Sequence, residues 1–184
     1  ILRRIEGAAR DLHGTAAALQ EVATGRLFGC RDLLGQAATD YAGVKSARKV
    51  PTVLLVGEIY VRCDPAANDF IVESLEARGL AVRFAPFVEW LEYTDQGKYA
   101  KGGSVGWRTR ISTLAQHRML HQTYTIMADA LGWPARTTVK DSLAAAKPWV
   151  REELRGEAVL TVGGPVREWR DGHIDAAVSV GPLE

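Results

Sequence analysis

Residues 52–69 read TVLLVGEIYVRCDPAAND, and the fold class turns on them. An unbroken apolar run, Val53-Leu54-Leu55-Val56, gives way at Gly57 to the polar side chains of Glu58, Tyr60, Arg62, Asp64 and Asn68, and then to an amphipathic segment. β-Branched residues and Leu without alternation fit a strand covered by helices on both faces. Such a strand delivers its following residues to the mouth of an α/β sheet, where open parallel sheets bind ligands.

On the C-terminal side, Asp64-Pro65 pairs an N-cap residue with a proline suited to the first helical turn. The predicted helix runs to about Arg78, buries Ile71, Val72 and Leu75, and stops at Gly79. Residues 80–85 read as a second strand closed by Pro86, so strand, helix and strand form a βαβ unit with parallel strands. A short helix is expected over 88–91 and a glycine-rich mobile loop over 95–106. A long helix is expected over 108–131, with Leu120, Tyr124, Met127 and Leu131 on one stripe and Gly132 as its stop. Residues 142–155 predict a helix with a break or restart at Pro148. Residues 156–169 are ambiguous: Ala158 to Val162 has strand propensity, but Glu157 and the segment 166–169 favour mostly helix, broken near Gly163-Gly164-Pro165, and residues 174–180 read as a third strand.

On the N-terminal side, Leu2, Ile5, Ala9, Leu12, Ala16, Leu19 and Val22 recur at spacings of three and four, which predicts an amphipathic helix over 2–23. A break at Thr24-Gly25 and a second helical pattern over 27–46 make an antiparallel pair. The expected organisation is an N-terminal helical segment, residues 1–49, followed by an α/β lobe, residues 50–184, truncated at its C-terminal end. The chain reads as a piece of something longer. It lacks an initiator Met, it stops just after an apolar run, and Leu183-Glu184 has the form of a tag junction.

Composition excludes several classes. With 184 residues, 47% of them hydrophobic, there is material for one full core, and a formal charge of +1 gives no global field toward nucleic acid or anionic lipid. No apolar run approaches the roughly 20 residues that span a bilayer. The two cysteines, Cys30 and Cys63, form no C-x-x-C, which points to a reducing cytoplasm rather than a disulfide framework.

Candidate site residues follow from the strand-to-helix mouth: Gly57, Glu58, Tyr60, Arg62 and Asn68 are expected to line a substrate or cluster crevice. If the backbone stays extended, the i, i+2 spacing puts Glu58, Tyr60 and Arg62 on one side. The competing reading is a Glu58–Arg62 ion pair that ties down the loop. GEIYVR lacks G-x-G-x-x-G, and no G-x-x-x-x-G-K-[ST] occurs, which disfavours NAD or ATP binding in those modes. His117 and His121 have a metal-compatible i, i+4 spacing but no acidic residue between them, so a solvated polar face is the preferred reading. Cys63 lies in the suspect loop, where a helix N-terminus lowers a thiol pKa. Cys30 reads as a small core residue.

At VGEIYVRCDPAANDFIVESLEARGLAV the sequence resembles the 2-hydroxyacyl-CoA dehydratase and benzoyl-CoA reductase type subunits, as found in large CoA-substrate-specific enzyme activases. The family pattern GEIYVR-x-N-P, then N and a helix, is matched by Gly57 to Arg62, Pro65 and Asn68. Gly156-Glu157-Ala158 with Val162-Gly163 is similar to its GEA-x-x-x-VG stretch, and residues 175–182 to its D-G-x-x-x-V-G-P strand. Asp64 stands where the family has Asn, and Ala176 where it has Gly. The resemblance implies Rossmann-like α/β lobes holding a [4Fe–4S] cluster, an acyl-CoA substrate and a partner ATPase that drives low-potential chemistry. It also implies that the cluster cysteines and the ATPase module lie outside this sequence, leaving no cofactor in this piece and no activity for it alone. The expected fold is therefore α/β, a Rossmann-like parallel sheet flanked by helices with an N-terminal helical pair. Two functions compete: a lobe of a dehydratase-like iron–sulfur protein (a lyase or a reductase), and a non-catalytic α/β module binding a small anion or a partner protein.

Overall fold

The computed structural model of the chain describes residues 15–100, 106–151, 154 and 156–181. In chain order the elements are α1 (Thr15–Thr24), a 3-10 turn (Leu27–Gly29), α2 (Cys30–Val44), β1 (Thr52–Gly57), α3 (Ile59–Cys63), α4 (Ile71–Glu76), β2 (Ala81–Phe84), α5 (Phe87–Ala100), α6 (Trp107–Leu131), α7 (Val139–Ala146), α8 (Ala158–Arg170) and β3 (Ala176–Val180). The chain divides into two compact units. One draws on residues up to Ser46 and on Lys98–Arg136, the other on Ala47–Gly97 and Thr137–Glu184. The part of the first expected helix before Thr15, residues 101–105 of the expected loop, and Pro182 fall outside the described residues.

The first unit is helical. Leu27, Val22, Ala38, Ala128 and Leu131 form its buried apolar positions. The second helix begins at Cys30 rather than Leu27, because Leu27 and Phe28 take positive φ of 52° and 57°. Glu21 Oε2 accepts the Phe28 N–H at 3.2 Å and stabilises that turn. α2 packs on α6, and Lys45 donates to the Leu131 carbonyl. α6 stops at Gly132 in the left-handed region, as glycine at a helix terminus allows. Of the stripe expected on this helix, only Leu131 is fully buried; Leu120, Tyr124 and Met127 are half-buried.

The second unit is built on a three-stranded parallel sheet of order β2-β1-β3, flanked by helices. Val53 pairs with Val82 on one side and with Ala176 on the other, and Gly57 pairs with Val180. β1 is central, with Val53 through Gly57 buried. β2 and β3 are edges whose residues are half-buried or exposed. Leu54, Val56, Ala85 and Ile174 make the core cluster, each large side chain worth about 1.5–3 kcal/mol on burial.

Around this sheet several expectations need correction. Residues 59–63 form a short helix rather than an extended loop, because the Glu58 carboxylate caps it. The helix expected from Asp64-Pro65 to Arg78 is confined to Ile71–Glu76. Asp69 and Phe70 adopt positive φ, 55° and 53°, which an α-helix cannot contain. Ile71, Val72 and Leu75 are half-buried, not buried. The helix expected over 88–91 runs from Phe87 to Ala100, taking in the first part of the expected loop. α7 starts earlier than expected, at Val139, where Thr138 Oγ1 accepts the Asp141 N–H at 3.2 Å. It ends before Pro148.

α8 is helical, as expected, but it is not broken at Gly163-Gly164-Pro165. A Cβ on Gly163 would lie 2.0 Å from the Ser142 carbonyl oxygen and 3.1 Å from Ala146 Cβ. The glycine thus permits a close α7–α8 contact.

Among the described residues no helix is long and apolar enough to cross a membrane.

Candidate functional site

Within the α/β unit a cleft opens at the carboxyl ends of β1 and β2. Val56, Gly57, Ile59 and Arg62 line one side, Ala85, Pro86, Glu89 and Trp90 a second, and Glu157, Leu160 and Thr161 of the α8 start a third. Counting the space open to solvent, its empty volume is about 290 Å³. β1 is the central strand, with its parallel neighbours on opposite sides, so the chain leaves it where an open parallel sheet accommodates a ligand.

The five residues expected at the crevice separate. Gly57 lines it, with φ +104°. A Cβ there would sit 1.9 Å from the Val180 carbonyl oxygen, which instead accepts the Glu58 N–H at 2.9 Å. Arg62 also lines the cleft and is only 7% exposed. Glu58 is the N-cap of α3: its Oε2 accepts the Val61 N–H at 2.7 Å, and it does not take the alternative ion pair with Arg62. Tyr60 is 67% exposed and lies outside the lining. Because α3 is helical, residues two apart face different directions, which separates Tyr60 from Arg62. Asn68 ties the segment together. Its Nδ2 donates to the carbonyls of Val61 at 3.0 Å and Arg62 at 3.2 Å, and its Oδ1 accepts the Ile71 N–H at 3.2 Å.

Beside the cleft, Tyr60 and Asp64 form a surface pair. The Asp64 carboxylate raises the Tyr60 pKa through a hydrogen bond. The Asp64 pKa is lowered chiefly by the Ala67 N–H, and then by the Tyr60 hydroxyl and the Ala66 N–H. Asp64 Oδ1 accepts from Ala66 at 2.9 Å and from Ala67 at 3.1 Å. The capping chemistry anticipated at Asp64 is therefore present, although it closes a turn and not a long helix.

Glu89, Trp90 and Thr161 were not foreseen as site residues. Ser142, fully buried, donates its hydroxyl to Glu89 Oε1 at 2.6 Å. Burial pushes the Glu89 pKa above its usual value, with the Ser142 hydroxyl and Arg62 opposing that shift and Glu168 and Glu92 reinforcing it. Glu168, buried on α8, accepts from Arg83 and Thr137 and has His173 Nδ1 at 3.4 Å. The cleft therefore offers one buried cation, the carboxyls of Glu89 and Glu157, of which burial raises the pKa of Glu89, and the first turn of α8.

The described residues hold no group of three or more His, Cys, Asp or Glu placed to bind a metal ion. Cys30 belongs to the helical unit, and Cys63 is an exposed residue of the α/β unit. Two cysteines do not fit a [4Fe–4S] cluster, which takes four thiolates. Compared with models of known protein families, with curated proteins and with solved structures, the chain matches none.

Proposed function

We propose that the α/β unit is one Rossmann-like lobe of a cytoplasmic, 2-hydroxyacyl-CoA dehydratase-like iron–sulfur protein, and that its cleft faces the acyl-CoA. One observation carries the reading. Gly57 and Arg62 of the GEIYVR stretch meet Glu157 of the GEA stretch at a single cleft, although the two stretches lie far apart in sequence. These are residues on which the resemblance rests, and their convergence at the carboxyl end of a parallel sheet is the arrangement a ligand site takes in such folds.

In this reading the cluster thiolates come from beyond residues 1–184, and a partner ATPase supplies the reducing drive. The chain's own residues position the acyl-CoA: Arg62 presents a fixed positive charge, and Glu89 a carboxyl able to hold or release a proton at Oε1 or Oε2. Anaerobic reconstitution of the natural protein carrying this chain, with ferrous iron and sulfide, tests the assignment. The expected result is broad visible absorbance that bleaches on reduction; a clean protein with no bound iron overturns it.

A further inference from the structure

We propose that the cleft at the carboxyl end of β1 is an oxyanion site, taking a carboxylate or phosphate group of a small ligand between the Arg62 guanidinium and the open first turn of α8. The inference rests on geometry alone and stands whether or not the unit belongs to a dehydratase-like protein.

Arg62 carries the first half of the case. Arg62 lines the cleft and is only 7% exposed, and among the described residues no hydrogen bond or ion pair holds its guanidinium. Removing a charge from water costs several kcal/mol unless a partner compensates it. Among the described residues, Glu89 interacts with it through space. A guanidinium presents a planar fork of donors that matches the two oxygens of a carboxylate or phosphate.

α8 supplies the second half. It is 13 residues long, and its N-cap, Glu157, makes no side-chain capping bond. The N–H groups of Ala158, Val159 and Leu160 have no intrahelical acceptor, and aligned peptide dipoles favour negative charge at that end. Leu160 and Thr161 line the same cleft as Arg62. By contrast, α7 has its first turn closed by Thr138 and Asp141.

Two carboxylates share the lining, and they shape the site. Glu89 is engaged by Ser142, and burial favours its neutral form. Glu157 is half-buried at the helix start, where it competes with an incoming anion.

An amide NMR titration of the chain at constant ionic strength tests this, with inorganic phosphate in one arm and acetate in the other. Saturable shifts at the amides of Ala158, Val159, Leu160 and Gly57 are expected, and the tighter arm identifies the head group. Arg62→Gln should weaken binding at least about tenfold, a loss of about 1.4 kcal/mol, and Glu157→Gln should tighten it. No saturable shift at these amides with either anion overturns the proposal, as does unchanged affinity in Arg62→Gln. If that variant fails to fold, unchanged affinity in Glu157→Gln overturns it instead.

Discussion

Ser142 donates its hydroxyl proton to Glu89 Oε1 at 2.6 Å, joining α7 to α5 beside Gly164 of α8. Ser142 is fully buried, so no water can replace its hydroxyl without rearrangement. Ser142→Ala should cost about 1–3 kcal/mol, the penalty for leaving a polar partner unsatisfied. It should also raise the Glu89 pKa further, since the hydroxyl now favours the charged form. Urea denaturation and a carboxyl-resolved NMR titration measure the two effects.

The Glu89 carboxyl also sets a pH dependence. Burial raises its folded pKa above the 4.5 of a free glutamate, so the folded state binds this proton more tightly than the unfolded state does. Stability from this group is greatest below the unfolded value and falls as pH rises through the folded pKa. Arg62 opposes the shift, whereas Glu168 and Glu92 reinforce it. Glu89→Gln lacks the titration, so its stability relative to the natural chain should improve as pH is raised from about 4.5. Thermal unfolding of both proteins across that range gives the comparison; a constant difference contradicts it.

Gly163 and Gly35 should respond to alanine with opposite signs. Both lie in helices, where Ala is intrinsically better by about 1 kcal/mol. At Gly35 none of the described residues lies within 4 Å of an added Cβ, so Gly35→Ala should stabilise. At Gly163 the added Cβ would meet the Ser142 carbonyl oxygen at 2.0 Å. Gly163→Ala should therefore destabilise by about 1–3 kcal/mol through overpacking. Denaturation midpoints decide the signs.

How much of this was legible in sequence differs from element to element. β1 was, because burial on both faces leaves an uninterrupted run, Val53 through Val56, and its short length between Pro51 and Gly57 favours a strand over a buried helix. The parallel pairing with residues 81–84 followed from the spacing of strand, helix and strand. The helix at Ile59–Cys63 was not, because a single capping bond from Glu58 to the Val61 N–H decides it, and the residue types alone also allow an extended loop. The same curl brings Arg62 to the cleft and turns Tyr60 to the surface.

Glu89 was missed for a tertiary reason. FVEWLEYTD is an ordinary amphipathic pattern, and Glu89 acquires its environment only when Ser142, 53 residues later, packs against it. α8 looked interruptible because Gly163, Gly164 and Pro165 are poor helix formers, but the glycine serves the close contact with Ser142.

The acyl-CoA reading is tested most directly by an amide NMR titration of the chain with a short-chain acyl-CoA thioester. The account predicts saturable shifts clustered at Gly57, Arg62, Glu89, Trp90 and Leu160, around the carboxyl end of β1. Saturable shifts confined to other surfaces, or none at all, would contradict it.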